Sequence, residues 1–290
     1  RVHHRRLIKA NCDQSSKTSL LSKFIETTLF SIPIYQVDAF TDKLFSGNPA
    51  AVCPLTEWLS DDVMQAIAAE NNLSETAFIN RSTSPFTIRW FTPITEVDLC
   101  GHATLAAARI LFDEYLPKNS KELSFNSRRG LLKTYREDEL IYLDFPADFP
   151  VVVEEHSLIN EGLQEQPIEV LQGKDDYLAI FENEQTIRSL QPNFNVLSEL
   201  ESRGLIVSAP SEQVDFVSRC FFPQMGIDED PVTGSAHTVM VPYWSERLRK
   251  SELQAIQCSP RGGLLTCQLR TDRVLIGGFT VRYLVGQITV

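Results

Sequence analysis

Phe86-Thr87-Ile88-Arg89-Trp90-Phe91-Thr92-Pro93, continuing through Val97-Asp98 to Cys100-Gly101-His102, has a counterpart 130 positions later. That counterpart is Phe216-Val217-Ser218-Arg219-Cys220-Phe221-Phe222-Pro223, which continues through Ile227-Asp228 to Asp230-Pro231. At constant offset Phe, Arg, Phe, Pro and Asp coincide, five identities in 13 columns. Ordinary residue usage gives about one. Each copy runs into a glycine-bearing turn and a small-residue helix. Two similar halves imply a cleft between them, and glycine turns that open helices offer unpaired backbone N–H groups to an anion. The repeat thus predicts two domains of one plan and an enzyme acting on a small carboxylate.

A chain of 290 residues accommodates two domains of ordinary size. With 43% hydrophobic and 22% charged residues it has the composition of a soluble globular protein. A net charge of −11 argues against nucleic acid as a partner. It leaves an anionic substrate open, because a pocket can be locally positive on an acidic protein. No apolar run approaches about 18 residues, so no membrane span is expected. The cysteines (Cys12, Cys53, Cys100, Cys220, Cys258, Cys267) form no C-x-x-C pair, which implies free thiols and a cytoplasmic setting. Of the histidines only His102 and His237 fall inside candidate motifs, and neither has metal-ligand spacing. No metal and no cofactor are expected.

The first 30 residues carry Arg1, Arg5, Arg6, Lys9, Lys17 and Lys23 against Asp13 and Glu26. A basic, Ser/Thr-containing leader fits a transit peptide and equally an extension without a fold. Residues 1–31 are therefore read as a disordered basic extension, 32–148 as the first domain and 149–290 as the second. Phe145-Pro146-Ala147-Asp148-Phe149-Pro150 is the linker, bracketed by two prolines. Strands are expected at Ile34–Phe40, Ala50–Cys53, Glu75–Ile79 and Thr87–Phe91. Ser60 caps a helix that opens with Asp61-Asp62 and stops at Asn71-Asn72. His102–Leu111 is alanine-rich with few charges, the mark of a helix wrapped by strands. Leu123–Ser127, Leu131–Tyr135 and Leu140–Phe145 form a meander. The second half is expected to hold strands near Tyr177–Phe181, Leu205–Ala209 and Phe216–Phe222 and a helix around Asn195–Glu201. Its buried helix is expected to begin at Gly234, with four short strands from Thr266 to the end.

Four motifs in order carry a resemblance. Gln36-Val37-Asp38-Ala39-Phe40-Thr41 with Gly47-Asn48-Pro49-Ala50, Leu73-Ser74-Glu75-Thr76-Ala77-Phe78, Leu99-Cys100-Gly101-His102-Ala103-Thr104 and Glu229-Asp230-Pro231-Val232-Thr233-Gly234-Ser235-Ala236 resemble the PhzF-like phenazine-biosynthesis isomerase family. The similarity runs from about residue 32 to the C-terminus. It implies an α/β (α+β) fold of the diaminopimelate epimerase type, with two pseudo-symmetric domains, each a curved mixed sheet around a central helix. It also implies a homodimer.

Glu75 stands where a helix has ended and an apolar strand begins, so its carboxylate is expected to be partly desolvated and fit for general acid/base work. The resemblance implies that role; the alternative is a solvated strand-end glutamate. His102 follows Gly101 at a helix start, and the resemblance implies that it lines the pocket rather than being a backbone-satisfied core histidine. Asp230 occupies the repeat position of Cys100. Two-thiol racemases of this fold need a cysteine at both places, so the pair here fits proton relay or polar binding instead; a cap on the Pro231 turn is the alternative. Gly101, Gly234 and Ser235 form the expected carboxylate cradle, unless Thr233-Gly234-Ser235 is an ordinary helix cap. The resemblance puts Asp38 and Asn48-Pro49 at pocket or hinge positions. Cys100 is expected as an inert wall residue, and His237 as a core or helix-surface residue.

The function expected is a cofactor-independent isomerase that moves a proton between carbons. The resemblance implies a substrate like trans-2,3-dihydro-3-hydroxyanthranilate. An amino-acid epimerase and a non-catalytic binding member remain the alternatives.

Overall fold

A computed structural model describes residues 30–154 and 157–290. The basic leader falls outside the described residues as far as position 29. Phe30 and Ser31 are already joined to the sheet, and the Phe30 N–H donates to Val290 O at 3.0 Å.

The chain runs through β1 (Ser31–Ala39), β2 (Asn48–Leu55), α1 (Asp61–Asn71), β3 (Glu75–Asn80), β4 (Phe86–Phe91), β5 (Glu96–Val97), α2 (Gly101–Glu114), β6 (Glu122–Ser127), β7 (Gly130–Glu137) and β8 (Leu140–Pro146). It continues through β9 (Val151–Val152), α3 (Ser157–Leu163), β10 (Glu169–Gln172), β11 (Asp176–Ile180), α4 (Glu184–Ser189), α5 (Phe194–Leu197), β12 (Gly204–Pro210), β13 (Phe216–Phe221), α6 (His237–Leu248), β14 (Glu252–Gln257), β15 (Gly263–Arg270), β16 (Arg273–Gly278) and β17 (Thr280–Thr289).

The same pairing scheme is used twice. β2–β3 and β11–β12 are parallel, β3–β4 and β12–β13 antiparallel, β4–β6 and β13–β14 parallel. The antiparallel runs β6–β7–β8 and β14–β15–β16 follow, and β8 pairs with β16 to join the halves. Each half is completed by a strand the chain lays down after finishing the other. β17 pairs along the whole of β1, from Ser31↔Thr289 to Ala39↔Thr280, and β9 pairs with β10.

The central helix of the first half is buried from Gly101 through Phe112. Its alanines let strands approach on every side, as the lack of a polar face predicts. α6 is less enclosed, with Trp244 stacked on Phe216 at 5.7 Å and its Nε1–H donating to Ser208 Oγ at 2.9 Å. α1 begins and ends as the sequence dictates. The Ser60 hydroxyl accepts from Val63 N, Asp61 and Asp62 lie at the positive end of the dipole, and Asn72 ends the helix in the left-handed conformation. Gly47 makes the return into β2 with φ +64°, where a Cβ would lie 2.2 Å from Ala39 O.

Several expectations are corrected. The last two expected strands are one, because Gly286 lies within a continuous pairing, opposite Ile34, instead of turning the chain. α6 begins at His237, and Gly234-Ser235-Ala236 forms a preceding turn in which His237 N donates to Gly234 O at 3.0 Å. The expected helix at Asn195–Glu201 is the shorter α5. β10, β14, α3 and α4 were not expected, although β14 shows a period of two, with Leu253, Ala255 and Gln257 buried between outward residues. Among the described residues no helix is long and apolar enough to cross a membrane.

His237 is a core residue. Its Nδ1–H donates to Thr233 O at 2.9 Å, and burial pushes its pKa down to about 4. A base depressed below its unfolded value, near 6.5, contributes stability that is present above that value and lost as pH falls toward 4. Urea midpoints should show about 3 kcal/mol lost across this window. His237→Gln should flatten that part of the slope, whatever its effect at neutral pH.

Candidate active site

The site is a cavity of about 600 Å³ between the two halves. The first half contributes the α1–β3 turn, the 92–95 loop and the start of α2. The second contributes Arg203, the 225–231 segment and the turn before α6.

The left-handed Asn72 reverses the chain out of α1, and Leu73-Ser74 brings Glu75 to the first position of β3. Glu75 is buried, and its Oε2 lies 3.1 Å from His102 Nε2. The angles at this contact are not those of a hydrogen bond, so both buried atoms keep unfilled bonding capacity. The other imidazole nitrogen, Nδ1, faces Cys100 Sγ at 3.6 Å. Burial opposes a charge on His102, but Cys100 and Glu75 more than offset it, and its pKa stands well above the usual value. Burial, with Glu75 nearby, pushes the Cys100 thiol up to about 11. A thiol that keeps its proton lends the imidazolium no charge, so the part of the upward push that stands is the part Glu75 supplies.

Asp230 sits at the matching place in the second half, with its N–H donating to Cys220 O at 3.0 Å. Asn48 Nδ2 donates to its Oδ1 at 2.9 Å, and the Thr233 hydroxyl donates to Oδ2. Gln257 braces the turn by accepting from Thr233 N and donating to Asp230 O, both at 2.8 Å. Burial pushes the Asp230 carboxyl upward against the pull of the His102 charge and of these donors.

The two central helices meet end to end. A Cβ on Gly101 would lie 3.4 Å from Gly234 Cα, already in contact. Neither helix has an acidic residue in its first turn or a side-chain cap. Two uncapped positive ends therefore face one cavity, an arrangement that favours an anion there.

All six expected site residues (Glu75, His102, Asp230, Gly101, Gly234 and Ser235) line this one cavity. Asn48 belongs with them through Asp230. Asp38 does not line it; its Oδ1 accepts from Arg261 Nη2 at 2.9 Å and its Oδ2 from Phe45 N at 3.0 Å, which ties the 40–47 turn to the second half. Arg203, Thr233 and Gln257 were missed. Thr233 stands in the fourth motif, whereas Arg203 and Gln257 stand in none. Glu75, Cys100 and His102 also present donor atoms within 4.8 Å of one another, a grouping that sequence spacing did not foreshadow. The imidazole turns different nitrogens to Cys100 and Glu75, so an ion bound by all three would have to break the present arrangement.

A family model described as phenazine biosynthesis-like protein (PhzC-PhzF) matches residues 37–286. A Pseudomonas aeruginosa protein named an uncharacterized isomerase is 50% identical over 257 residues, covering 89% of this chain and 98% of that protein. The crystal structure of a PhzF-family phenazine biosynthesis protein from Enterococcus faecalis matches with TM-score 0.87 and 44% identity, over 90% of this chain and 100% of that one. A hydroxyproline epimerase from Agrobacterium vitis, at 9% identity and TM-score 0.58 over 90% of this chain and 93% of that one, shares the fold alone. With its epimerase-like doubled sheet and two central helices meeting at one cavity, the chain belongs to the PhzC-PhzF family of phenazine biosynthesis-like proteins.

Proposed function

We propose that this protein is a cofactor-independent isomerase that moves a proton between two carbons of a small carboxylate. The observation that carries the reading is Glu75 beside His102, both buried and both with bonding capacity unfilled, on the wall of a cavity faced by two uncapped helix starts. The substrate carboxylate lies against the backbone N–H groups at Gly101, Gly234 and Ser235. Glu75 takes a proton from one carbon as a carboxylate and returns it to another, so no external oxidant or reductant is needed. His102 and Asp230 orient the polar substituents and stabilise the charge that develops as the double bond shifts.

The apolar lining, which includes Leu73, Val97, Leu99, Phe222 and Ile227, suits a ring. We take trans-2,3-dihydro-3-hydroxyanthranilate as the first substrate to test. The chain works on this reading as half-domains 32–148 and 149–290 in a homodimer, and light scattering at micromolar concentration that gave a monomer mass would contradict the dimer. An epimerase reading draws support from Asp230, a second buried carboxylate at the repeat position of Cys100. Inversion at one carbon, with no migration of a double bond, would select it.

Proton NMR in deuterated water should show conversion of that substrate with deuterium entering the product. Glu75→Gln should slow it by on the order of 10²–10⁴-fold, with smaller losses for His102→Gln and Asp230→Asn. Conversion by Glu75→Gln at the wild-type rate would remove Glu75 from the chemistry. Because the proposed chemistry uses no metal, dialysis against EDTA should leave the rate unchanged. A rate that fell and returned with added zinc would instead give the Glu75–Cys100–His102 cluster to an ion.

A further inference from the structure

Among the described residues β17 pairs with β1 alone, so its other edge is open. Phe30 and Val290 exchange both backbone hydrogen bonds, at 3.0 and 2.9 Å. In an antiparallel ladder such pairs alternate with pairs that turn their N–H and C=O groups away from each other. Thr289, Gln287 and Val285, which stand opposite Ser31, Pro33 and Tyr35, therefore point theirs to the open edge. Pro33 fits this phase, since a residue without an N–H costs the ladder nothing there. A register shift between Gln36 and Val37 makes Tyr283 an extra residue, so the regular edge is residues 284–289.

Proteins blunt an open strand with charge, proline or brevity. β9, the counterpart in the second half, is two residues long and follows Pro150. Residues 284–289 carry no charge and no proline, and the one charged residue of the strand, Arg282, is paired with Asp113 and Glu114. Leu284 and Val285 point to opposite faces, yet both are exposed, Val285 at 63%. Beside them Tyr283 meets Phe45 edge to face at 5.7 Å. Phe45 is 69% exposed and holds φ +67°, a left-handed conformation that a bulky residue adopts at a cost. A ring this open recovers little of that cost within its own chain.

With Leu44 these side chains leave on the order of 500 Å² of surface open, the greater part of the roughly 800 Å² that a standard interface takes from each partner. A second copy of the chain fits it. An antiparallel strand edge is its own complement under a two-fold axis. The chain carries a net charge of −11, and this edge brings two copies together without opposing like charges. We propose that β17 pairs antiparallel with β17 of a second copy, about a two-fold axis at Val285, the most exposed apolar side chain of the strand. The sheets of the two copies then run on into one another, and each Phe45–Tyr283 pair packs at the end of the partner strand. The inference deepens the homodimer proposed above and is independent of the isomerase chemistry.

The test is sedimentation equilibrium of the full chain across nanomolar to micromolar concentration, with hydrogen exchange of the Val285, Gln287 and Thr289 amides. The wild type should be a dimer with these amides protected, and dilution should release both together. Val285→Pro removes an N–H that the β1 ladder does not use, so the fold should stand while the dissociation constant rises by on the order of 100-fold. Val285→Lys should act the same way by placing charge on the edge. Phe45→Gly relieves the left-handed strain. It should weaken the dimer by about 30-fold, as for an aromatic anchor, while the thermal midpoint of the monomer holds or rises. Val152→Lys, on the blunted edge at β9, should leave the dimer unchanged.

A wild type that is monomeric at micromolar concentration overturns the dimer and its surface together; protected amides in that monomer would give the edge to a segment of the same chain. A dimer unmoved by Val285→Lys overturns the surface and leaves the homodimer standing, as does an equal loss from Val152→Lys. Val285→Lys alters only an exposed side chain. It decides the matter even if the proline variant does not fold.

Discussion

Two helix N-termini pointing at each other across one gap are the constraint on which the site depends. Each carries a partial positive charge from its aligned peptide dipoles, and like ends repel. Proteins ordinarily relieve such an end with an Asp, Ser or Thr cap. Here α2 opens after Cys100 and α6 after an uncapped turn, and Gly101 and Gly234 let the backbones touch. The β8–β16 joint enforces the approach, because it fixes the two halves about one pseudo-symmetric seam. β17, laid down last and paired along β1 of the first half, reinforces it. Electrostatics left open by the fold is what an anionic ligand completes.

A symmetric fold has been made chemically lopsided. The matched repeat positions hold Cys100 and Asp230, and the matched strand positions hold Ser74-Glu75 and Arg203-Gly204. One wall thus carries the carboxylate–imidazole pair, and the other carries an anchored guanidinium with a braced aspartate. Elsewhere the repeat is kept. Arg89 grips Glu96 and Arg219 grips Glu229 by paired contacts of 2.7–2.9 Å, each guanidinium lying 5.1 Å over the phenylalanine of its own strand. The clamps that shape the two cavity loops are duplicated, while the groups that meet a ligand are not. A polar substrate bound between such walls has one productive orientation.

Much of this was legible in the chain. The repeat foretold the doubled sheet, the alanine run foretold the enclosed helix, and Ser60 with Asn72 fixed the ends of α1. Three of the four motifs carry the six candidate residues that line the one cavity. What stayed hidden has a physical cause. β1 and β17 pair across some 250 positions of sequence, and no local signal records a partner at that distance. Gly286 read as a turn because a missing side chain looks the same in a turn as in a strand. Arg203 sits in no motif. Its place in the site arises only when β11 brings Asp176 beside it and the turn before α6 brings Ser235. β14 was different, since its alternation was in the sequence to be read.

The central claim is that Glu75 and His102 form one buried, oppositely charged pair. The most direct measurement is the titration of the His102 imidazole by ¹⁵N NMR from about pH 6 to about pH 9, in wild type and in Glu75→Gln. The account predicts an imidazole that stays charged well beyond the ordinary histidine value in the wild type and falls back toward it in the variant. An ordinary and identical titration in both proteins would contradict the pair.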